Sequence, residues 1–517
     1  MMRANHKRVR HLLIPLMVGM LSWAGWWASS AVAAPTAMLP QDDDSASTDL
    51  TDAQIKKMHD QVADLCGKKE YEKALAVLLE ILTARPGDSM ALYNAACVQA
   101  HLGQVDKSVA LLHEAVLAGF VNFDYMKVDP DLEPIRSHPQ YQELLKAIGT
   151  AYDNAAEFMV EWSRKSLGEE AIIEKVNALK LVLATSLPQS TADRMKRSIS
   201  SQMEYQIEHL FGEPPSAFVL LMVPTPEQAD RIINSVRVGG FYDHDTRRLV
   251  TRDLGPSLSH EITHVLHHAQ MDRLGQKHPM WIQEGLASVF ERYEPGPAGQ
   301  VTVLDNSRVN VAVNLSRAAA LTTWKKFVEI DASRFNRVRA RARYAEARAM
   351  FQYISETAPG GLEAWYKTYL EMYPEDPSGL TAFETVYDQP LDEIERGYRI
   401  WLHDKEKVPE SVHEREPAIG VWVANQMAND GVGIVAVHPG SAAREAGLKP
   451  RDIILEFDGQ PVYDAEELVM LVLKHSQNDE INLKIRRFNA EREVTVTLRP
   501  VDTRRGIQHI QEPGIAI

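Results

Sequence analysis

Cysteine is nearly absent, with only Cys66 and Cys97 in 517 residues. That excludes a disulfide framework and any cysteine-rich zinc site. Two readings stay open for the pair: one disulfide formed outside the cytoplasm, or two small buried apolar residues on neighbouring helices. Positive charge is short too: 56 Lys and Arg stand against 71 Asp and Glu, a net charge of −15. General nucleic-acid binding needs a basic footprint, so that balance argues against it. Beyond the first 34 residues no stretch is apolar enough to span a bilayer. The whole chain is 45% hydrophobic and 25% charged, an ordinary globular composition that excludes disordered and fibrous classes. The length calls for roughly three domains.

The N-terminus departs from this average. Arg3, Lys7, Arg8 and Arg10 precede an apolar run from Leu12 to about Ala28, followed by Ala31-Val32-Ala33. This pattern predicts a secretory signal peptide over 1–33, or an uncleaved anchor if the long apolar run stays in place. Either way the bulk of the chain is expected outside the cytoplasm, periplasmic or secreted. A membrane partner follows only from the uncleaved form. Residues 34–52 are polar and acidic and read as a linker.

From 53 to 150 the pattern is helical and repeats. Tyr71, Ala74, Leu78 and Ile81 recur 34 positions later as Val105, Ser108, Leu112 and Ala115. The run Asp129-Pro130-Asp131-Leu132 then leads to a capping helix. A 34-residue period of paired helices resembles the tetratricopeptide repeat. The resemblance implies a small α-helical solenoid that either binds a protein partner or braces its neighbour.

Residues 151–410 mix helices with strands. Ala217–Val223 reads as a buried strand, and Gly239–Asp243 with Arg248–Thr251 as a strand pair. A helical half begins near Ser257, with Ser257 and Ser259 as candidate caps. It opens on His260-Glu261-Ile262-Thr263-His264. Positions i and i+4 share a helix face, so both imidazoles reach one ion. Glu261, about 100° round the helix, stands beside that ion, where a general base for water is needed. Trp281-Ile282-Gln283-Glu284-Gly285-Leu286-Ala287 follows, with Glu284 twenty residues after His264. Two His and one Glu leave a zinc ion an open fourth position, the catalytic arrangement. A further histidine-ligand class needs glycine and histidine where His267 and Gln270 stand, so that class fails. His267 and His268 read as supporting or surface residues.

The pairing of His-Glu-x-x-His with Trp-x-x-Glu-Gly-x-Ala resembles the gluzincins, the class of thermolysin and the aminopeptidase N-type enzymes. The resemblance implies an α+β zinc peptidase domain with one Zn²⁺ per chain and a protein or peptide substrate. Tyr344, ahead of Ala345-Glu346-Ala347, is similar to the tyrosine those aminopeptidases aim at the oxyanion; Tyr353 is a weaker counterpart. They also carry Gly-x-Met-Glu-Asn, whose Glu holds the substrate amino group. Gly239-Gly240-Phe241-Tyr242-Asp243 stands here instead, which favours an endopeptidase, with Asp243 left as a substitute and an aminopeptidase as the alternative. The same strand would be the edge for substrate β-addition. The run Arg334, Arg337, Arg339, Arg341, Arg343 reads as a solvated face or as a contact for an acidic substrate or another domain.

Residues 412–502 turn β-rich. Gly420–Val423, Gly433–Val437, Pro439-Gly440-Ser441, Asp452–Leu455, a helix at Ala465–Lys474 and two last strands follow in order. That order resembles a bacterial-type PDZ domain. The resemblance implies capture of C-terminal peptides, with Ile419, Gly420 and Val421 as the carboxylate loop and Leu468, Val469, Leu471 and Val472 as the helix wall. Residues 503–517 read as a loose tail. Its Ile515-Ala516-Ile517 is itself an apolar end of the kind such a groove takes, so self-binding is one expectation. A rival reading from another class is a scaffold on a dead peptidase fold, although a scaffold has no need of Glu261 and three ligands together.

Overall fold

The structure is a computed structural model. It describes residues 51–500 and 515–517, apart from positions 119, 121–122, 233–239, 245–246, 297–299, 338, 414, 425–426, 429 and 489. The expected signal peptide, nearly all of the linker and Gly239 therefore lie outside the described residues. Contacts divide the chain into two compact units, 1–155 with 272–275, and 156–271 with 276–517. Among the described residues no helix is long and apolar enough to cross a membrane.

The first unit is helical: α1 (Asp52–Gly67), α2 (Tyr71–Ala84), α3 (Ser89–His101), α4 (Val105–Leu117), α5 (Phe123–Val128), a 3₁₀ turn (Pro130–Ile135) and the start of α6 (Pro139–Leu167). Thr51 opens α1 with a reciprocal capping box to Gln54. Helices α2 and α4 start at 71 and 105, the repeat interval. The equivalent positions Ala74, Leu78 and Ile81 and Ser108, Leu112 and Ala115 are all fully buried. Ser108 tolerates burial because its hydroxyl donates to the Ala96 carbonyl. Both cysteines are free thiols. The expected boundary at 150 falls inside α6, which runs on to Leu167 because Ala156, Met159 and Leu167 pack under the sheet of the second unit.

The second unit opens with β1 (Ile172–Val176), β2 (Leu181–Thr185), α7 (Gln189–Gln206), β3 (Val219–Val223), α8 (Pro226–Ile232), β4 (Gly240–Asp243) and β5 (Arg248–Thr251). They form a five-stranded sheet in the order β1-β2-β3-β5-β4, parallel only at β2–β3 and β3–β5. Period-two alternation decides its two faces. Leu181, Leu183 and Leu221 enter one core, while Val182, Ala184 and Leu220 enter the other. Strand β4 is an edge, as expected.

The helical half follows: α9 (Pro256–Leu274), α10 (Met280–Val289), the hairpin β6 (Tyr293–Pro295) and β7 (Val301–Val303), α11 (Ser307–Arg317), α12 (Trp324–Phe327), α13 (Ala332–Arg337), α14 (Ala340–Thr357), α15 (Gly361–Met372), α16 (Leu380–Tyr387) and α17 (Leu391–Asp404). The last elements are β8 (Pro417–Ala418), β9 (Val421–Ala424), β10 (Val432–Val437), α18 (Ala442–Glu445), β11 (Ile453–Phe457), β12 (Gln460–Pro461), α19 (Ala465–Leu473), β13 (Glu480–Arg487), β14 (Ala490–Thr497), β15 (Arg499–Pro500) and β16 (Ile515–Ala516). Sheet order β14-β13-β11-β10-β9-β16 closes this β-rich part. The end of the expected loose tail is thus a paired strand, because the edge of β9 offers unmet backbone partners.

Candidate metal centre

Helix α9 starts at Pro256, a residue suited to the first helical position because its missing N–H would have no partner there. Ser257 and Ser259 therefore lie inside the helix, not at the cap positions expected for them. Asp253 takes that work, accepting from the backbone N–H of Gly255 at 3.0 Å and of Ser257. Leu258, Ile262, Val265, Leu266 and Ala269 hold α9 in the core. Gln206 donates to Thr263 at 2.9 Å, and Gln202 to the Ser259 carbonyl at 2.7 Å.

That packing turns His260 and His264 to one place, where they meet Glu284 of α10. Nε2 of His260 lies 3.1 Å from Nε2 of His264 and 3.2 Å from Oε2 of Glu284, and the His264 nitrogen lies 3.4 Å from the same oxygen. All three residues are buried. Ligand atoms of a tetrahedral ion with bonds of about 2.0–2.1 Å stand about 3.3–3.4 Å apart. The donor set suits zinc, and its separations lie within about 0.3 Å of those spacings. Glu284 reaches this position because the next residue has no side chain: a Cβ on Gly285 would lie 2.5 Å from the Phe351 ring of α14.

Glu291, just beyond α10, supports the first histidine. Its Oε1 is 3.0 Å from His260 Nδ1, and Arg308 of α11 grips the same carboxylate through two 2.8 Å bonds. Asn306 donates to it as well, at 3.2 Å. Burial raises the Glu291 pKa, but Arg308 and His260 outweigh it and hold the group down at about 2. Burial lowers the His260 pKa, yet Glu284 and Glu291 outweigh that and hold it up at about 10. The site is thus built for positive charge. No sequence pattern pointed to Glu291, Asn306 or Arg308. A charged pair, Glu291-Arg292, directly after the apolar Val289-Phe290 was the one signal present.

A cleft of about 1100 Å³ opens on the site, lined by His260, Glu261, Arg308, Arg341 and Tyr344. The Tyr344 ring centroid is 6.5 Å from that of His260, with Arg308 stacked 5.3 Å over its face. Its hydroxyl donates to Asn336 at 3.1 Å. Tyr353 packs instead with Tyr387, Tyr398 and Trp401 in the aromatic core. Of the arginine run, Arg334, Arg337, Arg339 and Arg341 are exposed, and Arg341 also lines the cleft. His267 is fully buried, not at the surface, and bonds His278 at 2.7 Å. His268 stacks on His244 at 4.8 Å, and burial pushes its pKa down to about 3.

The opposite wall of the cleft comes from the β-rich part: Ala428, Tyr463, Asp464, Glu466 and Ile515. Polar contacts fix it there. Arg292 meets Asp464 at 3.3 Å, and the Ser307 N–H donates to Glu466 at 2.6 Å. Asp430, with its side chain fully buried, accepts from Thr191 at 2.8 Å and from both Nη atoms of Arg486. At the start of β9, along the edge that pairs with β16, Gly420 and Val421 direct their N–H groups to the Ile517 oxygen at 2.7 and 2.9 Å. Leu468, Val469 and Val472 of α19 share a buried cluster with Ile419 and Ile517. The expected loop and helix wall come together.

A second cluster, Cys97 with Asp129 and Asp131, also has metal-like spacing. Its Asp129 is already occupied, by the Tyr93 hydroxyl at 2.5 Å and the Asp131 amide at 2.9 Å. That reads as a helix cap.

Comparison with known proteins identifies residues 417–498 as a PDZ domain, inside the expected 412–502. Two curated relatives match over short stretches of similar length. One is a chloroplastic protein of Arabidopsis thaliana, 34% identical over 88 residues, which are 16% of this chain and 26% of that protein. The other is a probable periplasmic DegP-like serine endoprotease of a Marinomonas species, 40% identical over 76 residues, 14% of this chain and 16% of that protein. The chain thus spans about a quarter or less of the curated relatives it matches. Among solved structures, an HtrA-type protease with a decapeptide is 23% identical over 17% of this chain and 31% of that one, with a TM-score of 0.16. An aminopeptidase N family protein from Idiomarina loihiensis is 15% identical over 65% of this chain and 68% of that one, with a TM-score of 0.31.

Proposed function

We propose that this chain is a zinc-dependent peptidase of gluzincin type acting outside the cytoplasm, with its PDZ domain forming part of the substrate site. The observation that carries the reading is the meeting of His260, His264 and Glu284 at metal-ligand spacing, with Glu261 on the wall of the same cleft. Zinc held by those three residues would supply Lewis acidity, polarising a carbonyl and acidifying water.

The remaining steps belong to the chain's own groups. Glu261 takes a proton from the attacking water and returns it to the departing amine. Tyr344, with Arg308 beside it, donates a hydrogen bond to the oxyanion as the carbonyl becomes tetrahedral. Glu291 fixes the His260 ring so that Nε2 faces the ion. The backbone edge of β4 receives the substrate as an added strand. Strand β4 carries Phe241-Tyr242-Asp243 and no glutamate for an amino terminus, which favours internal cleavage. The export pattern at the N-terminus and the DegP-like relative, named as periplasmic, support the location. Helices α2–α4, on their 34-residue interval, are read as a tetratricopeptide-like pair that holds a protein partner or braces its neighbour.

Elemental analysis should find about one zinc per chain, lost in His260→Ala. Glu261→Gln should keep the zinc and cut an unfolded protein substrate roughly 10²–10⁴-fold more slowly. Absence of zinc after reconstitution, or full activity in Glu261→Gln, would leave the scaffold as the better account. Faster cleavage of free than of blocked N-termini would return the aminopeptidase.

A further inference from the structure

The PDZ groove is already filled by this chain. Ile515 pairs with Val423 and Ala516 with Trp422, antiparallel, extending the sheet past β9. The Ile517 amide donates to Val421 at 2.9 Å, and its oxygen takes the N–H groups of Gly420 and Val421. Gly420 permits this loop: its φ is +84°, and a Cβ there would lie 2.2 Å from Cβ of Ser441. The Ile517 side chain is 1% exposed.

The other end of the same segment leads elsewhere. Ile515, two residues before the seated residue, lines the cleft that also holds His260, Glu261 and Tyr344. The groove, lined by Ala516 and Ile517, and the cleft, lined by Ile515, therefore adjoin along this segment.

We propose that this groove is the intake of the cleft. Its working occupant is a polypeptide with a free carboxylate and an apolar last residue. Ile515–Ile517 is a tethered competitor that keeps the intake filled until such an end displaces it. The cutting half of this inference rests on the peptidase reading above; the competition does not. A ligand tethered within one chain acts at about millimolar effective concentration. A site occupied by it binds a free peptide with an affinity reduced to the fraction left open.

The binding test uses a fluorescent decapeptide ending in Ile-Ala-Ile, as the free acid and as the amide, read by anisotropy. The chain lacking 515–517 should bind the acid at least tenfold more tightly than the full chain, and Ile517→Asp should behave like the deletion. Equal affinity of full and shortened chains would overturn the competitor. Equal affinity for acid and amide would overturn carboxylate capture. Because removing a buried residue can disturb folding, the unaltered full chain supplies a second measurement. Saturating acid peptide should speed hydrogen exchange at the Ile517 amide as the segment leaves; unchanged exchange would overturn displacement.

The cleavage test uses the zinc-loaded shortened chain and peptides lengthened only at their N-termini. Cuts at a constant distance from the free carboxylate support the intake. Cuts that move with the N-terminus overturn it and leave the competitor standing. If no polypeptide is cut at all, the peptidase reading fails and takes the intake with it, while the anisotropy result still decides the competitor.

Discussion

His260 divides its two nitrogens between two carboxylates: Nε2 lies 3.2 Å from Glu284, and Nδ1 lies 3.0 Å from Glu291. Only the first can be a ligand, because the second is drawn into the clamp of Arg308. In the proposed zinc site Glu291 would therefore be a positioning group for the His260 ring. Glu291→Gln keeps the size but loses the charge that orients the ring. Zinc affinity, measured by competition with a chromophoric chelator, should fall about 10–100-fold. His264 has no equivalent partner among the described residues, its Nδ1 being buried without a hydrogen bond. Unchanged zinc affinity in Glu291→Gln would remove Glu291 from this role.

Close approach of two helices sets the position of Glu284. Gly285 of α10 lets Phe351 and the Ala347 carbonyl of α14 come in where a Cβ would meet them at 2.5 and 3.0 Å. Gly285→Ala should cost about 1–3 kcal/mol in a denaturant titration, as overpacking of a core contact does. It should also weaken zinc binding, since Glu284 is the adjacent residue. A stable variant with normal zinc affinity would show that α10 can shift without moving its ligand.

The meeting of His260 with His264 was legible in the sequence because a helix ties positions i and i+4 to one face whatever surrounds it. The PDZ segment was legible because its strands, turns and helix follow in a fixed order. Glu291 and Arg308 were not, since they reach His260 from a helix end and from another helix, and no local period links 260, 291 and 308. The caps were misread because Pro256 begins α9 one residue before Ser257, which moves the capping work to Asp253. The strand Ile515–Ala516 has only two residues and no alternation to detect, and its partner β9 lies more than 90 positions back, so it was legible only through the PDZ resemblance, as an apolar end such a groove takes. Its structure comes from the groove it fills.

Asp430 tests how firmly the PDZ domain is held as a wall of the cleft. Its carboxylate is the shared partner of Arg486 in β13 and Thr191 in α7, with Arg194 at 3.9 Å. Asp430→Ala would leave two arginines facing each other across a buried gap. Removing one member of a buried charge cluster costs about 3–5 kcal/mol. A loss of that order is expected in the urea midpoint, together with slower peptide cleavage at unchanged zinc content. A loss under about 1 kcal/mol would mean that water reaches the arginines and that the clamp is loose.

Asp253 gives the stability of the chain a pH dependence whose sign is fixed. Burial raises its pKa to about 6, against the opposing bonds from Ser257 and Gly255, and Asp464 raises it further. In the unfolded chain an aspartate titrates near 3.9. The folded state therefore holds this proton more tightly than the unfolded state. Below about pH 4 both states are protonated and the full stability is present. As pH rises from about 4 to about 6, the unfolded state releases the proton first and stability falls. Above about 6 the loss is complete, and by linkage it amounts to at most about 3 kcal/mol. Asn can still accept from Gly255 but never ionises. Asp253→Asn should accordingly match the parent chain near pH 4 and unfold at a higher urea concentration at pH 8. If the two chains unfold alike at pH 8, the carboxylate is solvated through the cleft it lines and its burial carries no cost. If Asp253→Asn is the less stable at both pH values, the cap at the start of α9 depends on the carboxylate's charge, and the ionised form is the one this helix is built around.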